Sequence, residues 1–230
     1  MKKIAIVQSN YIPWKGYFDL IAAVDEFILL DDAQYTRRDW RNRNKIKTPQ
    51  GIQWLSVPII AKGKFTQKIH EAEIYGNEWA TLHWKTLTRN YSQSAHFKEL
   101  AEWLEPSYLS ERYSNLSELN RKFILTICNY LEIKTQITNS SDYQLEGDKT
   151  ERLVNLCIQA GGQEYVSGPA AKSYLEEELF HQKQVGLTWF NYDSYPEYPQ
   201  LWGKFVHNVT VLDLLFNCGK KSVDFMRYVL

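Results

Sequence analysis

Cysteine is scarce in this chain of 230 residues: Cys128, Cys157 and Cys218 stand far apart, with no Cys-x-x-Cys pair. An odd, scattered set excludes a disulfide framework and gives no zinc-ligand spacing. The histidines, His70, His83, His96, His181 and His207, form no metal-ligand spacing either. Net charge is also absent. Lys plus Arg and Asp plus Glu number 27 each, so no global field recruits nucleic acid or a membrane surface. No apolar run approaches a bilayer span. The few apolar residues before Gln8 are too short a run for a signal peptide. These absences predict a soluble, cytoplasmic protein without a metal site, and with no nucleic-acid or membrane partner.

Aromatic rings are in excess, at 14% of residues with eight Trp and fifteen Tyr. Rings serve packing and ligand surfaces alike. The hydrophobic share of 44% is ordinary for a globular protein, and the length is enough to bury a real core. KIAIV (3–7) reads as a strand covered on both faces, residues 17–24 as a helix, and EFILL (26–30) as a second buried strand. That succession is a βαβ unit with parallel strands. WLSVPII (54–60) reads as a third strand, with Pro58 pushing it toward an edge. Helical spacing then rules segments 78–91, 96–104 and 116–131. Strand and helix alternate again afterwards: strand 134–141, helix 150–160, strand 164–168, helix 173–184, strand 187–192 and helix 208–216. The expected architecture is one α/β domain over residues 1–230. Its core is a parallel sheet of Rossmann-like, nucleotidylyl-transferase-like type, with a helical insertion at about 78–132.

Ligands of open parallel sheets sit at the carboxyl ends of the strands, which directs attention to two loops. The first, QSNYIPWKGYF, offers the amides of Gln8 and Asn10, a close backbone approach at Gly16, and the free N–H groups of the helix that follows. Tyr11, Trp14 and Tyr17 are split between ligand contact and packing. Gln8, a polar side chain at a strand tip, is harder to assign to packing. The second loop, DDAQYTRRDWRNRNKIK (31–47), carries Arg37, Arg38, Arg41, Arg43, Lys45 and Lys47 against Asp31, Asp32 and Asp39. Arg forks suit phosphate and carboxylate, and Asn42 and Asn44 add neutral hydrogen bonds. A charge run is usually a solvated face. Its position after a buried strand at the ligand-binding end favours function here. Ser167 and Gly168, in SGPAAKSYL, mark a third strand-to-turn junction where a ligand or a plain turn fits.

Together these segments resemble the WbqC-like proteins, a bacterial family found with genes for O-antigen and other surface polysaccharides. QSNYIPWKGYFDLI matches the family's opening signature and LDDAQYTRRDWRNRNKIK its second segment, with Gln34 and Tyr35 inside it. YVSGPAAKSYL, EYPQLWGKF and VLDLLFNCG follow in the family's order. Ser9-Asn10 departs from the Gln-Pro pattern of many members. The layout of the first fifty residues is also similar to nucleotidylyl transferases and pantothenate synthetases. Trp14-Lys15-Gly16-Tyr17 stands where those carry His-x-Gly-His, which puts ATP chemistry of that type in doubt.

The resemblance implies a transferase of surface-polysaccharide assembly that attaches an acyl or aminoacyl group to a nucleotide-linked amino sugar. Asp31, Asp32 and Gln8 are the candidate catalytic residues. Asn10, Tyr11, Trp14, Gly16, Tyr17, Gln34, Tyr35, Arg37, Arg38, Asn42, Arg43, Lys45, Ser167 and Gly168 are the candidate substrate-binding set. An ATP-using nucleotidyl transferase or amide ligase, and a non-catalytic nucleotide-sugar-binding protein, are the alternatives. The sequence names no cofactor and leaves a homo-oligomer open.

Overall fold

The computed structural model describes residues 1–229. Among these, the strands are β1 (Lys3–Val7), β2 (Glu26–Leu29), β3 (Arg43–Thr48), β4 (Gly51–Ser56), β5 (Gln136–Asn139), β6 (Glu164–Ser167) and β7 (Gly186–Trp189). The α-helices are α1 (Lys15–Ala22), α2 (Glu78–Tyr91), α3 (Phe97–Leu109), α4 (Leu116–Tyr130), α5 (Lys149–Gln159), α6 (Glu177–Gln182) and α7 (Val211–Cys218). Five strands form one parallel sheet in the order β5-β2-β1-β6-β7. Counted along the chain, that is the doubly wound order of a Rossmann-like sheet, with its switch point between β1 and β6.

The pleat explains the unbroken apolar runs. Ile4, Ile6 and Ile28 point to one face, against Leu153, Val154, Leu156 and Cys157 of α5 and Phe180 of α6. Ala5, Phe27 and Leu29 point to the other, against Phe18, Leu20 and Ile21 of α1 and Ile124 and Ile127 of α4. A strand covered on both sides has no solvent face to make polar, so it loses the alternation of a half-buried strand. Helix α4 starts on a well-formed cap, with Asn115 Oδ1 accepting from the N–H groups of Ser117 and Glu118. No helix among the described residues is long and apolar enough to cross a membrane.

Three expectations need correction. The segment 54–60 is not a third parallel strand: β4 ends at Ser56 and pairs antiparallel with β3 in a separate two-stranded sheet. The basic loop therefore becomes a strand at Arg43, so Arg43 and Lys45 stand on a hairpin. The helix expected over 173–184 is instead a 3₁₀ turn at Pro169–Ser173 followed by the short α6. What is inserted between β2 and β5 is thus the hairpin as well as the helical segment.

Candidate functional site

Three clefts adjoin the carboxyl ends of β1 and β2 and the segment that follows them. The first, a crevice of about 290 Å³, is lined by Asp31, Asp32, His70, Ser117, Arg121 and Asn139. The two aspartates face different work. Asp31 Oδ1 accepts the Ser9 N–H at 2.9 Å and Oδ2 accepts the Ser117 hydroxyl, while its carbonyl accepts the His70 N–H at 2.9 Å. Both carboxylate oxygens are occupied by the protein. Asp32 accepts from Arg152 Nη1 at 3.2 Å, and its other oxygen, Oδ1, is buried without a partner. A buried polar oxygen ordinarily carries a hydrogen bond, so Asp32 Oδ1 is the carboxylate oxygen of this pair with capacity to accept one more donor.

The second cleft is a trough of about 590 Å³ along the hairpin. Arg37, Arg38, Arg43 and Lys62 line it over a floor of Val57, Pro58 and Ile59, with Tyr35 and Asn42 at its side, and no carboxylate joins them. Among the described residues none of these four cations forms an ion pair. Arg43 is fixed by stacking on Trp54 at 4.1 Å and by donating to the Arg38 carbonyl. Arg37 donates to the Ala61 carbonyl and lies 5.9 Å from the Phe65 ring, and Gln34 Nε2 donates to the Phe65 carbonyl at 2.8 Å. Arg38 holds a left-handed backbone, φ 58°, unusual for a residue with a side chain. Asn42 donates to the Val57 carbonyl at 2.7 Å and keeps a buried, unpartnered Oδ1.

The third cleft, about 240 Å³, lies between the first loop and the hairpin, lined by Asn10, Pro13, Trp14, Trp40, Asn44, Lys45 and Asn208. Asn10 Oδ1 accepts from Arg41, whose guanidinium is only 15% exposed and keeps an unpartnered Nε. Burial pushes the Arg41 pKa down, and the charges of Asp39 and Asp31 push it back up. Asn120 Nδ2 donates to the Arg41 carbonyl at 2.9 Å and to the Ser9 hydroxyl at 3.0 Å, and the Ser9 N–H donates to Asp31, which ties the third cleft to Asp31 of the first.

The remaining expected residues fall elsewhere. Tyr11 is fully buried, its hydroxyl 2.7 Å from that of Tyr108 and 2.9 Å from His83 Nδ1, so it packs the core. Tyr17 is buried against Phe27, and its hydroxyl donates to the Gln8 carbonyl at 3.1 Å. Gln8 is half-buried at the tip of β1, held through its backbone. Gly16 serves a side chain rather than a ligand: a Cβ there would meet the Trp14 ring at 2.4 Å. Ser167 is buried at the end of β6, and a Cβ on Gly168 would lie 3.5 Å from the Tyr192 hydroxyl. The cysteines are buried, and burial pushes Cys128 and Cys157 up to about 12 and Cys218 to about 11, which leaves them unreactive.

Lys62, Arg152, Trp40 and Asn208 were not expected from the sequence, and Arg41 and Asn44, noted in the basic run, were left out of the binding set. Arg41, Trp40 and Asn44 sit inside the basic run and carried the same signal as their chosen neighbours. Arg152 and Asn208 arrive from segments with no mark of their own.

An α/β protein with a Rossmann-like parallel sheet, an antiparallel hairpin inserted after its second strand and basic clefts at the join is the class these features define. The chain belongs to the WbqC-like protein family, whose model matches residues 8–225. It is 59% identical over 228 residues to the uncharacterized protein Rv1507c of Mycobacterium tuberculosis, a match covering 99% of each chain. No solved structure matches it.

Proposed function

We propose that this protein is a transferase of bacterial surface-polysaccharide (O-antigen) assembly that attaches an acyl or aminoacyl group to a nucleotide-linked amino sugar. The observation that carries the reading is the trough: a chain without net charge gathers Arg37, Arg38, Arg43 and Lys62 around one cleft with no acid among them. Unpaired cations side by side repel one another, and an anion such as a diphosphate relieves that repulsion. Asp32 supplies the chemical half. Its free Oδ1 accepts a hydrogen bond from the sugar's amine and takes the proton lost when nitrogen bonds to the acyl carbon. The bond from that carbon to the donor's leaving group breaks, and the leaving group departs with the electron pair. Asp31, saturated by Ser9 and Ser117, positions the loop instead.

The test is calorimetric binding of nucleotide-sugars to wild type and to the Arg37→Ala/Arg38→Ala variant. Affinity falls at least about tenfold in the variant, roughly 1.4 kcal/mol, and wild-type affinity falls with added salt as screening grows. A dissociation constant indifferent to both changes rejects the reading. Tight binding of ATP with magnesium in place of any nucleotide-sugar moves the protein to the ligase class.

A further inference from the structure

The cleft between Trp14 and Trp40 has no part in the scheme above, yet it is the most constructed of the three. Its backbone is strained on purpose. Ile12, a β-branched residue, sits at φ 37°, a conformation such residues avoid. It is over-determined there: its carbonyl accepts from Asn44 Nδ2 at 2.9 Å and from the Thr210 hydroxyl at 2.7 Å, and the next carbonyl, Pro13, accepts the Val211 N–H at 2.9 Å. Pro13 and Trp14, the two residues that follow, line the cleft together with Trp40.

The lining has one chemical character. Two indoles line the cleft, Trp14 packed on Tyr192 and Tyr195 and Trp40 packed on Trp54. Lys45, its ammonium 5.4 Å from the Trp40 ring and 5.0 Å from the Trp54 ring, has no carboxylate partner among the described residues. Asn10 has its oxygen committed to Arg41, which leaves its amide N–H₂ free, and the exposed Asn208 side chain is bound to nothing among the described residues. Asn44 is spent on the Tyr11 and Ile12 carbonyls and forms the floor. The volume, about 240 Å³, falls below the roughly 300–1,000 Å³ of pockets that hold drug-sized ligands. It takes one ring and not a whole nucleotide. Indole faces cover the apolar C–H face of a sugar, and asparagine amides match hydroxyls that both donate and accept.

We propose that this cleft is a monosaccharide-ring subsite, occupied by the sugar of the nucleotide-linked substrate with its amine directed out of the cleft, past Asn10, toward Asp32; it deepens the transferase reading and rests on it for the substrate's remaining half. Asn10 of the subsite holds Arg41, the Arg41 carbonyl and the Ser9 hydroxyl both accept from Asn120 Nδ2, and the Ser9 N–H donates to Asp31, a chain that joins the subsite to the crevice.

The experiment is saturation-transfer NMR on the full chain with a panel of free monosaccharides (N-acetylglucosamine, rhamnose, glucuronate) and free nucleosides, in wild type, Trp40→Ala and Asn208→Ala. Both substituted side chains are exposed, and the thermal midpoint of each variant is checked against wild type. Wild type transfers saturation to the ring protons of at least one monosaccharide, and each folded variant weakens that binding at least tenfold. No transfer to any sugar, transfer unchanged in both variants, or transfer to nucleosides alone overturns the subsite. A second arm titrates the matching nucleotide-sugar. If it binds no tighter than the free sugar, the transferase reading fails and the subsite stands. If it binds tightly and Trp40→Ala leaves its affinity unchanged, the subsite fails and the transferase reading stands.

Discussion

Asp31 and Asp32 are neighbours in the chain with different surroundings, and the difference lies in what reaches them. Ser9 lies 22 residues from Asp31, Ser117 lies 86 away, and Arg152 lies 120 from Asp32. No local pattern reveals partners at those separations, so the sequence marks the pair and cannot divide it. The division yields a test. Asp31→Ala strands the Ser9 N–H in a buried position, removes the Ser117 hydroxyl's acceptor and frees the loop after β2. Leaving one buried donor unsatisfied costs about 1–3 kcal/mol. At about 2–4 °C per kcal/mol for a chain of this size, calorimetry should show a melting midpoint lowered by several degrees. Asp32→Asn keeps the shape of a side chain whose second oxygen was unpaired, and should melt closer to wild type while losing turnover. Equal midpoints for the two variants would remove the distinction between them.

At the scale of elements, strands covered on both faces were the most legible feature. IAIV and FIL are unbroken apolar runs, and both lie in inner strands of the sheet. The hairpin was not legible. RNKIKT is basic and reads as loop, yet it pairs fully with GIQWLS; cross-strand contact of Lys45 with Trp54 and the stacking of Arg43 on the same indole supply what composition withholds. The candidate site was half legible for the same reason. Residues of the loops after β1 and β2 and of the basic run were found, Arg43 and Lys45 of the hairpin among them, whereas Lys62, Arg152 and Asn208, delivered from segments with no mark of their own, were not. Asn44 is the tie between hairpin and first loop, donating to the Tyr11 and Ile12 carbonyls from a side chain 2% exposed. Asn44→Ala removes both bonds and releases the strain at Ile12. The expected result is a loss of about 2 kcal/mol in denaturant unfolding, with faster proteolysis near residues 11–14. A variant that unfolds at the wild-type denaturant midpoint would show that the loop holds itself.

The whole molecule has a pH dependence written into its larger core. His83 of α2 sits 3% exposed between Tyr11 and Trp79. Burial lowers its pKa to about 4, with a hydrogen bond to the Ser56 backbone acting weakly the other way. In the unfolded chain the same imidazole titrates near 6.5. The folded state therefore binds this proton less readily than the unfolded state. The stability contributed is complete above about pH 6.5 and is lost as the pH falls toward 4. Linkage places the loss at about 2 kcal/mol by pH 5, or about 4–8 °C in melting midpoint for a chain of this size. Other groups contribute as well: the lowered carboxylates Glu26, Asp39, Glu99 and Glu111 lose stability in the same direction at the acid edge of this window, and others act outside it or against it. Lys15, lowered to about 8 by burial, is charged throughout it in both states. Asp213, raised by burial beside Tyr91, Tyr198 and Gln200, contributes stability that disappears as pH rises, opposite in sign. The difference between wild type and His83→Gln isolates the imidazole, because every other group is common to both. Glutamine can still bond the Tyr11 hydroxyl and carries no proton to gain. Between pH 6.5 and 5 the wild-type midpoint should fall by those several degrees more than the variant's, whatever the variant's absolute stability. Parallel curves would mean that His83 takes up its proton in the folded state, and that the core around Tyr11 is open to water.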